Sequence, residues 1–441
     1  MKSSLEAIQI SALFYTKQGV DSFFLLTYTI SMIQRSLQKV VETAVRSRPI
    51  TLITGARQVG KSTLALLFEK QGFHYVSLDN SRECEIALRD PQLFLSLHPW
   101  PLIIGEVQKA ENLFAAIEEK VNEEKRKRVD NYGMYLLTGS QIYRLMQNVS
   151  ESNAGRISVL HMPVLSRSEI LGREESIFQF DVPLLAKRGK EHPLSHQDLF
   201  ELIVHGFYPE LYSNPLLKPE QFYSDYVETY LERDVNEIIH VKDKFLFRQF
   251  MELLASMTGQ ELIYDKIAKA LSVDVKTIKS WISILLMGDI IYLLEPYNEL
   301  SITKRIVKRP KVYFSDTGLA CYLARLDSAE TLSRSLFSGA FVETFVINEI
   351  RKTFLNNGIT RPPLYYYRDN NQNEIDLVLV RKGKLHRIEC KSGIRYHPKD
   401  VKAFRCLDGS NYEKGTSGIL CCTDQVYPLA EDIYVAPIAG I

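Results

Sequence analysis

Ile33, Leu37, Val40 and Val41 repeat at the spacing of one helix face, and the apolar stretch Ile50–Thr54 that follows reads as a fully buried strand. A glycine-rich loop over 55–60 comes next, then a helical pattern over 61–70. Three more strand-like runs follow: one around Val76 and Leu78, one over 101–107 and one over 134–140. A helix over 110–125 separates the last two and ends in a charged stretch. Strands alternating with helices predict a parallel sheet covered on both faces.

After residue 167 the pattern turns to mixed helix, with a turn at 206–209. Helical patterns then run over 226–239, 245–257, 264–271 and 276–287, before strands at 290–294 and 311–314. Helix, turn, helix and a two-stranded hairpin is the winged-helix order. The last stretch has a helix over 341–354 and strands near 364–367, 375–380 and 385–391. A helix near 398–407 and a strand at 418–422 complete an α-β-β-β-α-β order, that of a small α/β core of restriction-endonuclease type.

With 441 residues the chain is too long for one ordinary domain. The expected division is an extension over 1–31, a nucleotide-binding core over 32–167 and a helical connector over 168–225. A winged-helix-like domain over 226–318 and a nuclease-like domain over 319–441 follow. Lys and Arg total 54 against 53 Asp and Glu, a formal net charge of +1, so no whole-molecule field draws the chain to nucleic acid. Any such binding needs a local patch. Six scattered cysteines form no CxxC pair and no zinc spacing, which fits reduced thiols in a cytoplasmic protein. The apolar run at 22–30 is too short to span a bilayer and lacks a signal-peptide pattern. It reads as an amphipathic extension, or as sequence ahead of a true start at Met32.

The residues Gly55, Ala56, Arg57, Gln58, Val59, Gly60, Lys61, Ser62 and Thr63 match GxxxxGK[ST] between a strand and a helix. Glycines let backbone N–H groups curl round phosphate oxygens, and the helix N-terminus adds its dipole. Lys61 suits the β- and γ-phosphates of ATP, and Ser62 suits Mg²⁺. Glu106, ending the strand over 101–107, is placed as general base for an attacking water. Ser140 could sense the γ-phosphate. Arg156 could act as an arginine finger, in cis or from a neighbouring subunit, although a plain surface arginine explains it equally.

These motifs place the chain beside a known family. It resembles the prokaryotic ATPases that join an AAA head to a C-terminal domain of unknown function, number 4143. The resemblance rests on GARQVGKST, SLDN, PLIIGEVQKA, LLTGSQ and NAGR, and continues through GFYPE, YLERDV, YFSDTGLA, FVETFVINE and YYYRDNNQNEIDLVL. It implies an AAA-type P-loop sheet binding ATP or ADP with Mg²⁺. One departure matters: the family has Asp immediately before the glutamate, and this chain has Gly105. The loss should weaken metal retention and slow hydrolysis, and Gly105→Asp is expected to raise the Mg²⁺-dependent rate. Asp79 is a candidate substitute ligand.

Two further clusters carry chemistry. Lys276, Lys279 and Trp281 lie on the expected recognition helix, and Lys304, Arg305, Lys308, Arg309 and Lys311 crowd the expected wing, a pattern suited to DNA phosphates. A solvated edge or a protein contact accounts for such charges equally well. Asp376, then Glu389 and Lys391 two residues apart on a strand, with Glu343 on the preceding helix, resemble the PD-(D/E)xK nuclease pattern without its proline. A cross-strand salt bridge is the alternative. The leading expectation is an ATPase that couples nucleotide state to this module, on DNA. The others are a regulatory NTPase acting on protein partners or as a homo-oligomer, and an ATP-bound adaptor.

Overall fold

The computed structural model describes residues 7–12, 26–31, 33–127, 130–140, 155–231, 244–298 and 309–441. Two strands, β1 (Ala7–Ala12) and β2 (Leu26–Ser31), pair antiparallel ahead of the main body. The apolar run of the expected extension enters β2, while Met32 lies outside the described residues.

The first unit comprises α1 (Gln38–Ser47), β3 (Ile50–Thr54), α2 (Lys61–Leu66), β4 (His74–Ser77), α3 (Ser81–Arg89) and α4 (Pro91–Leu97). It continues with β5 (Leu102–Gly105), α5 (Leu113–Lys127), β6 (Tyr135–Thr138) and β7 (Ile157–His161). The strands form one parallel sheet in the order β4-β5-β6-β3-β7. Side-chain alternation divides its apolar residues between two faces. Ile50, Leu52, Leu102, Ile104 and Leu137 pack with Phe94 and with Phe114, Ile117 and Val121 of α5. Ile53, Ile103 and Leu136 pack instead with Val41 of α1 and with Leu64 and Ala65 of α2.

The second unit holds α6 (His196–His205), α7 (Pro219–Tyr226), α8 (Lys244–Ser256), β8 (Gln260–Glu261), α9 (Tyr264–Leu271) and α10 (Val275–Met287). It ends in β9 (Ile291–Leu294) and β10 (Lys311–Phe314), and its sheet runs β8-β10-β9, antiparallel. The helix expected over 226–239 starts earlier. Pro219 opens α7, as suits a ring with fixed φ and no N–H to lose, and the chain continues as a π turn over Val227–Leu231. Residues 232–239 lie outside the described residues.

In the third unit α11 (Thr317–Leu323) and the long α12 (Ser338–Leu355) precede the strands β11 (Leu364–Arg368), β12 (Glu374–Arg381), β13 (Lys384–Cys390) and β14 (Glu413–Lys414). After β15 (Ser417–Cys421), β16 (Tyr427–Ala430) and β17 (Ile433–Pro437) add a terminal hairpin that the sequence pattern missed. The sheet order is β11-β12-β13-β15-β17-β16, with β14 pairing β13. The expected helix near 398–407 is a 3-10 segment, Pro398–Leu407, kinked at Val401.

No linker separates these units where the expected boundaries fall. The boundary after 225 cuts α7, and the one after 318 cuts α11. A single apolar core runs from Leu37 through Phe207, Trp281 and Phe345 to Ile441. At its centre α12 is buried almost all round, and its polar residues are therefore obliged to find partners. Among the described residues no helix is long and apolar enough to cross a membrane.

Candidate functional site

The glycine-rich loop leaves the C-terminal end of β3 and returns as α2. Gly55 has φ +143° and Gly60 φ +94°, and a Cβ on Gly55 would stand 2.2 Å from the Met162 carbonyl oxygen. Only glycine fits there. Arg35 holds the loop from behind: its guanidinium donates to the carbonyls of Val59 and Pro163 and pairs with buried Glu169 at 3.0 Å. Lys61 is buried, and its Nζ donates to the carbonyls of Gly55 (3.0 Å) and Ala56 (2.6 Å). Burial lowers its ammonium to about 8, against the opposing pull of Glu106.

Glu106 follows β5 in the left-handed region, with φ +54°. Gln108 Nε2 donates to Glu106 Oε2 at 2.6 Å and to Ser140 Oγ at 3.3 Å. Glu106 and Ser140 are thus joined through a residue that the sequence reading passed over. Gln108 is buried, and its Oε1 has no hydrogen-bond partner among the described residues. Its position two residues after the glutamate was the available signal.

Arg156 does not converge on the phosphate loop. It precedes β7, and its carbonyl accepts from Ile50 N–H at the start of β3, whereas the loop leaves the other end of that strand. Five residues of strand put the two about 16 Å apart along β3. The guanidinium pairs with Glu118 at 2.9 Å. A cis arginine finger is ruled out by that geometry. Asn153 and Ala154 of the same motif lie outside the described residues.

The later units reach the sheet edge beside the phosphate loop. His161, ending β7 beside Thr54, lies 2.8 Å from Asp289, which follows α10. Burial alone would raise the Asp289 carboxyl, but His161 and Arg351 of α12 hold it below the usual range. Arg351 lies 3.6 Å from Asp289 and stacks on Tyr292 at 4.2 Å. Farther along α12, Glu349 accepts from Arg167 N–H (2.9 Å) and Lys352 donates to the Leu165 carbonyl (2.8 Å). Asp316 takes Phe207 N–H and the Tyr223 hydroxyl, both at 2.7 Å, which ties the GFYPE turn to the YFSDTGLA stretch.

At the far end of α12 the carboxylates assemble. Asp376 on β12 and Glu389 on β13 share Lys391, at 3.2 and 2.7 Å, and Cys390 N–H donates to Asp376 at 2.9 Å. Burial and the Asp376 charge push Glu389 up, while Lys391 and Lys311 keep Asp376 low despite its burial. Glu343 joins through Lys311, which lies 2.8 Å from it and 2.6 Å from Glu374, and through the Tyr313 hydroxyl at 2.6 Å. All four expected residues are thus neighbours, yet lysine ammonium groups satisfy them. Among the described residues no group of three acids, histidines or cysteines is arranged to hold a metal.

Lys311 was expected on a DNA-binding wing. It is buried, only 2% exposed, because β10 is the central strand of its sheet and the acidic cluster covers it. Trp281 is likewise core, packed on Phe247 and Phe250. Arg309, Lys276 and Lys279 are exposed, and Lys304, Arg305 and Lys308 lie outside the described residues.

For Mg²⁺ the donors at the loop are Ser62, opening α2, and Glu106. Asp79, the candidate substitute, is turned to the surface and paired with Lys109 at 2.6 Å. The set fits a divalent ion poorly.

The parallel sheet and its loop define a P-loop nucleotide-binding ATPase of the AAA type. An AAA-domain family profile matches residues 47–171, and domains of unknown function 8612 and 4143 match 196–330 and 338–441. The chain belongs to the prokaryotic AAA-type ATPases that carry a C-terminal domain of unknown function 4143. It is 26% identical over 349 residues to an uncharacterized protein of Mycobacterium tuberculosis, covering 79% of this chain and 71% of that one. Among solved structures it is similar to a Walker-type ATPase of Pyrococcus abyssi, with TM-score 0.37 and 13% identity over 66% of this chain and 96% of that one. It is also similar to AMPPCP-bound DnaA from Aquifex aeolicus, with TM-score 0.27 and 14% identity over 56% and 86%.

Proposed function

We propose that the chain binds ATP in the loop 55–63, hydrolyses it slowly, and passes nucleotide state to its two C-terminal units. The observation that carries this reading is the glycine loop with Lys61 buried on its carbonyls, with Gln108 joining Glu106 to Ser140 at the end of the neighbouring strands. In the reaction Lys61 leaves its own loop carbonyls for the β- and γ-phosphates. Glu106 accepts the proton of the attacking water, and Ser140 holds the γ-phosphate. The His161–Asp289–Arg351 chain carries the signal, since it links the end of β7 to α12. Arg156 acts on the nucleotide of a neighbouring copy.

The second unit serves as a winged helix and the third as a nuclease-like fold, on the strength of their element orders. DNA contact then falls to Lys276, Lys279, Arg309 and the three basic residues before it. The satisfied charges around Lys311 favour a regulatory NTPase over an active nuclease, because a site with its own ammonium groups has little call for a metal.

The test is phosphate release by the full chain with and without duplex DNA, beside Lys61→Ala and Glu106→Gln. Turnover lost in both variants supports the ATPase reading, and wild-type turnover no higher than theirs overturns it. Stimulation by DNA supports the DNA-coupled form, and its absence leaves the regulatory form.

A further inference from the structure

The metal-holding aspartate that the family resemblance places before Glu106 is Gly105 in this chain. Alternation along β5 puts position 105 on the face of Ile103, the face that packs against α2, whose first turn holds Ser62. The space there is taken. A Cβ on Gly105 would stand 2.7 Å from Tyr75 Oη, 3.3 Å from Tyr75 Cζ and 3.4 Å from Ser77 Oγ. Both residues come from β4, whose register sets Tyr75 opposite Ile103 and Ser77 opposite Gly105. Gly105 is not among the glycines with positive φ, so the backbone would accept another residue and the phenol end of Tyr75 is the main obstacle.

The replacement changes charge as well as shape. A carboxylate holds Mg²⁺ beside the phosphates; a phenol and an alcohol are neutral and hold it weakly. Asp79 does not compensate, because Lys109 holds its carboxylate and its N–H is spent on Ser77 Oγ at 3.1 Å. Glu106 remains, tied to Gln108. Phosphate charge must then be met by the loop amides and Lys61, with the Tyr75 hydroxyl as a further donor.

We propose that Tyr75 and Ser77 have taken the place of the metal-holding carboxylate, so that this site takes a nucleoside triphosphate with little dependence on a divalent cation. The proposal rests on the nucleotide reading above and deepens it. It also revises the expectation for Gly105→Asp: the new carboxylate cannot reach a metal until the tyrosine gives way.

Calorimetric titration of the full chain with ATP, in Mg²⁺ and in EDTA, tests this directly. Affinities within about threefold of each other are expected, and a larger preference for Mg²⁺ overturns the proposal. Lys61→Ala should lose binding in both media. Wild-type protein that binds ATP in neither medium would overturn the nucleotide reading itself, and this inference with it. A second arm compares Gly105→Asp with Gly105→Asp/Tyr75→Phe, counting bound Mn²⁺ by paramagnetic resonance in the presence of ATP. A gain of about tenfold in metal affinity is expected in the double variant and not in the single one. Equal gains, or no gain in either, would overturn it.

Discussion

Lys61 illustrates how one side chain carries both a cost and a function. Buried against its own loop carbonyls, it keeps its proton only up to about pH 8. Phosphate charge must raise that value on binding, so the complex holds a proton that the free protein has released. Binding near pH 9 should therefore take up a fraction of a proton, and below about pH 7 none from this group. Calorimetry in buffers of different ionisation enthalpy measures the uptake, and Lys61→Arg should abolish it. Gln108 makes a separate prediction. Gln108→Leu removes the donor that joins Glu106 to Ser140, and turnover should fall about tenfold with ATP affinity unchanged. A fall in affinity of the same size would mean that the residue only supports the loop.

Among the elements, α12 and β10 do the most joining. Lys311 on β10 is wedged between Glu343 and Glu374, and its removal leaves the buried Glu343 carboxylate without its ammonium partner. Lys311→Met should cost about 3–5 kcal/mol of stability, read as a lower melting temperature. The loss has a definite pH sign. Burial already raises Glu343 with Lys311 present, and without the ammonium it rises further. The folded variant then binds a proton that the unfolded chain has lost, so its stability falls as pH rises, and the defect should be smaller at pH 6 than at pH 8. This lysine was misread from sequence because it closes a basic run that looks like a solvated edge. Membership in the central strand of a three-stranded sheet buried it. The phosphate loop was legible for the opposite reason: its glycines, lysine and serine act within nine consecutive residues, Gly55 to Thr63.

Across the whole molecule, the two charged sites occupy one helix. Glu343 and Arg351 are eight residues apart on α12, about 12 Å along its axis. A change at Asp289 therefore reaches the acidic cluster through one helix, whose Asn348, Glu349 and Lys352 are bonded to neighbouring elements. ATP should alter amide hydrogen exchange across Ser338–Leu355 in the wild type. Asp289→Asn should reduce that response while ATP affinity is kept. An unchanged response in the variant would break the proposed connection.

The sequence by itself determined the parallel sheet and the phosphate loop, because strand alternation and loop chemistry are local and repeat within short stretches. It also brought Asp376, Glu389 and Lys391 together, since one tight hairpin joins them. Only the tertiary structure decided what those groups meet. Arg35 finds Glu169 134 residues away, His161 finds Asp289 across 128, and Glu343 finds Lys311 across 32. Tyr75 fills the space beside Gly105 because two strands happen to share a register. Such contacts are set by how faces pack, and no local pattern of residues encodes them.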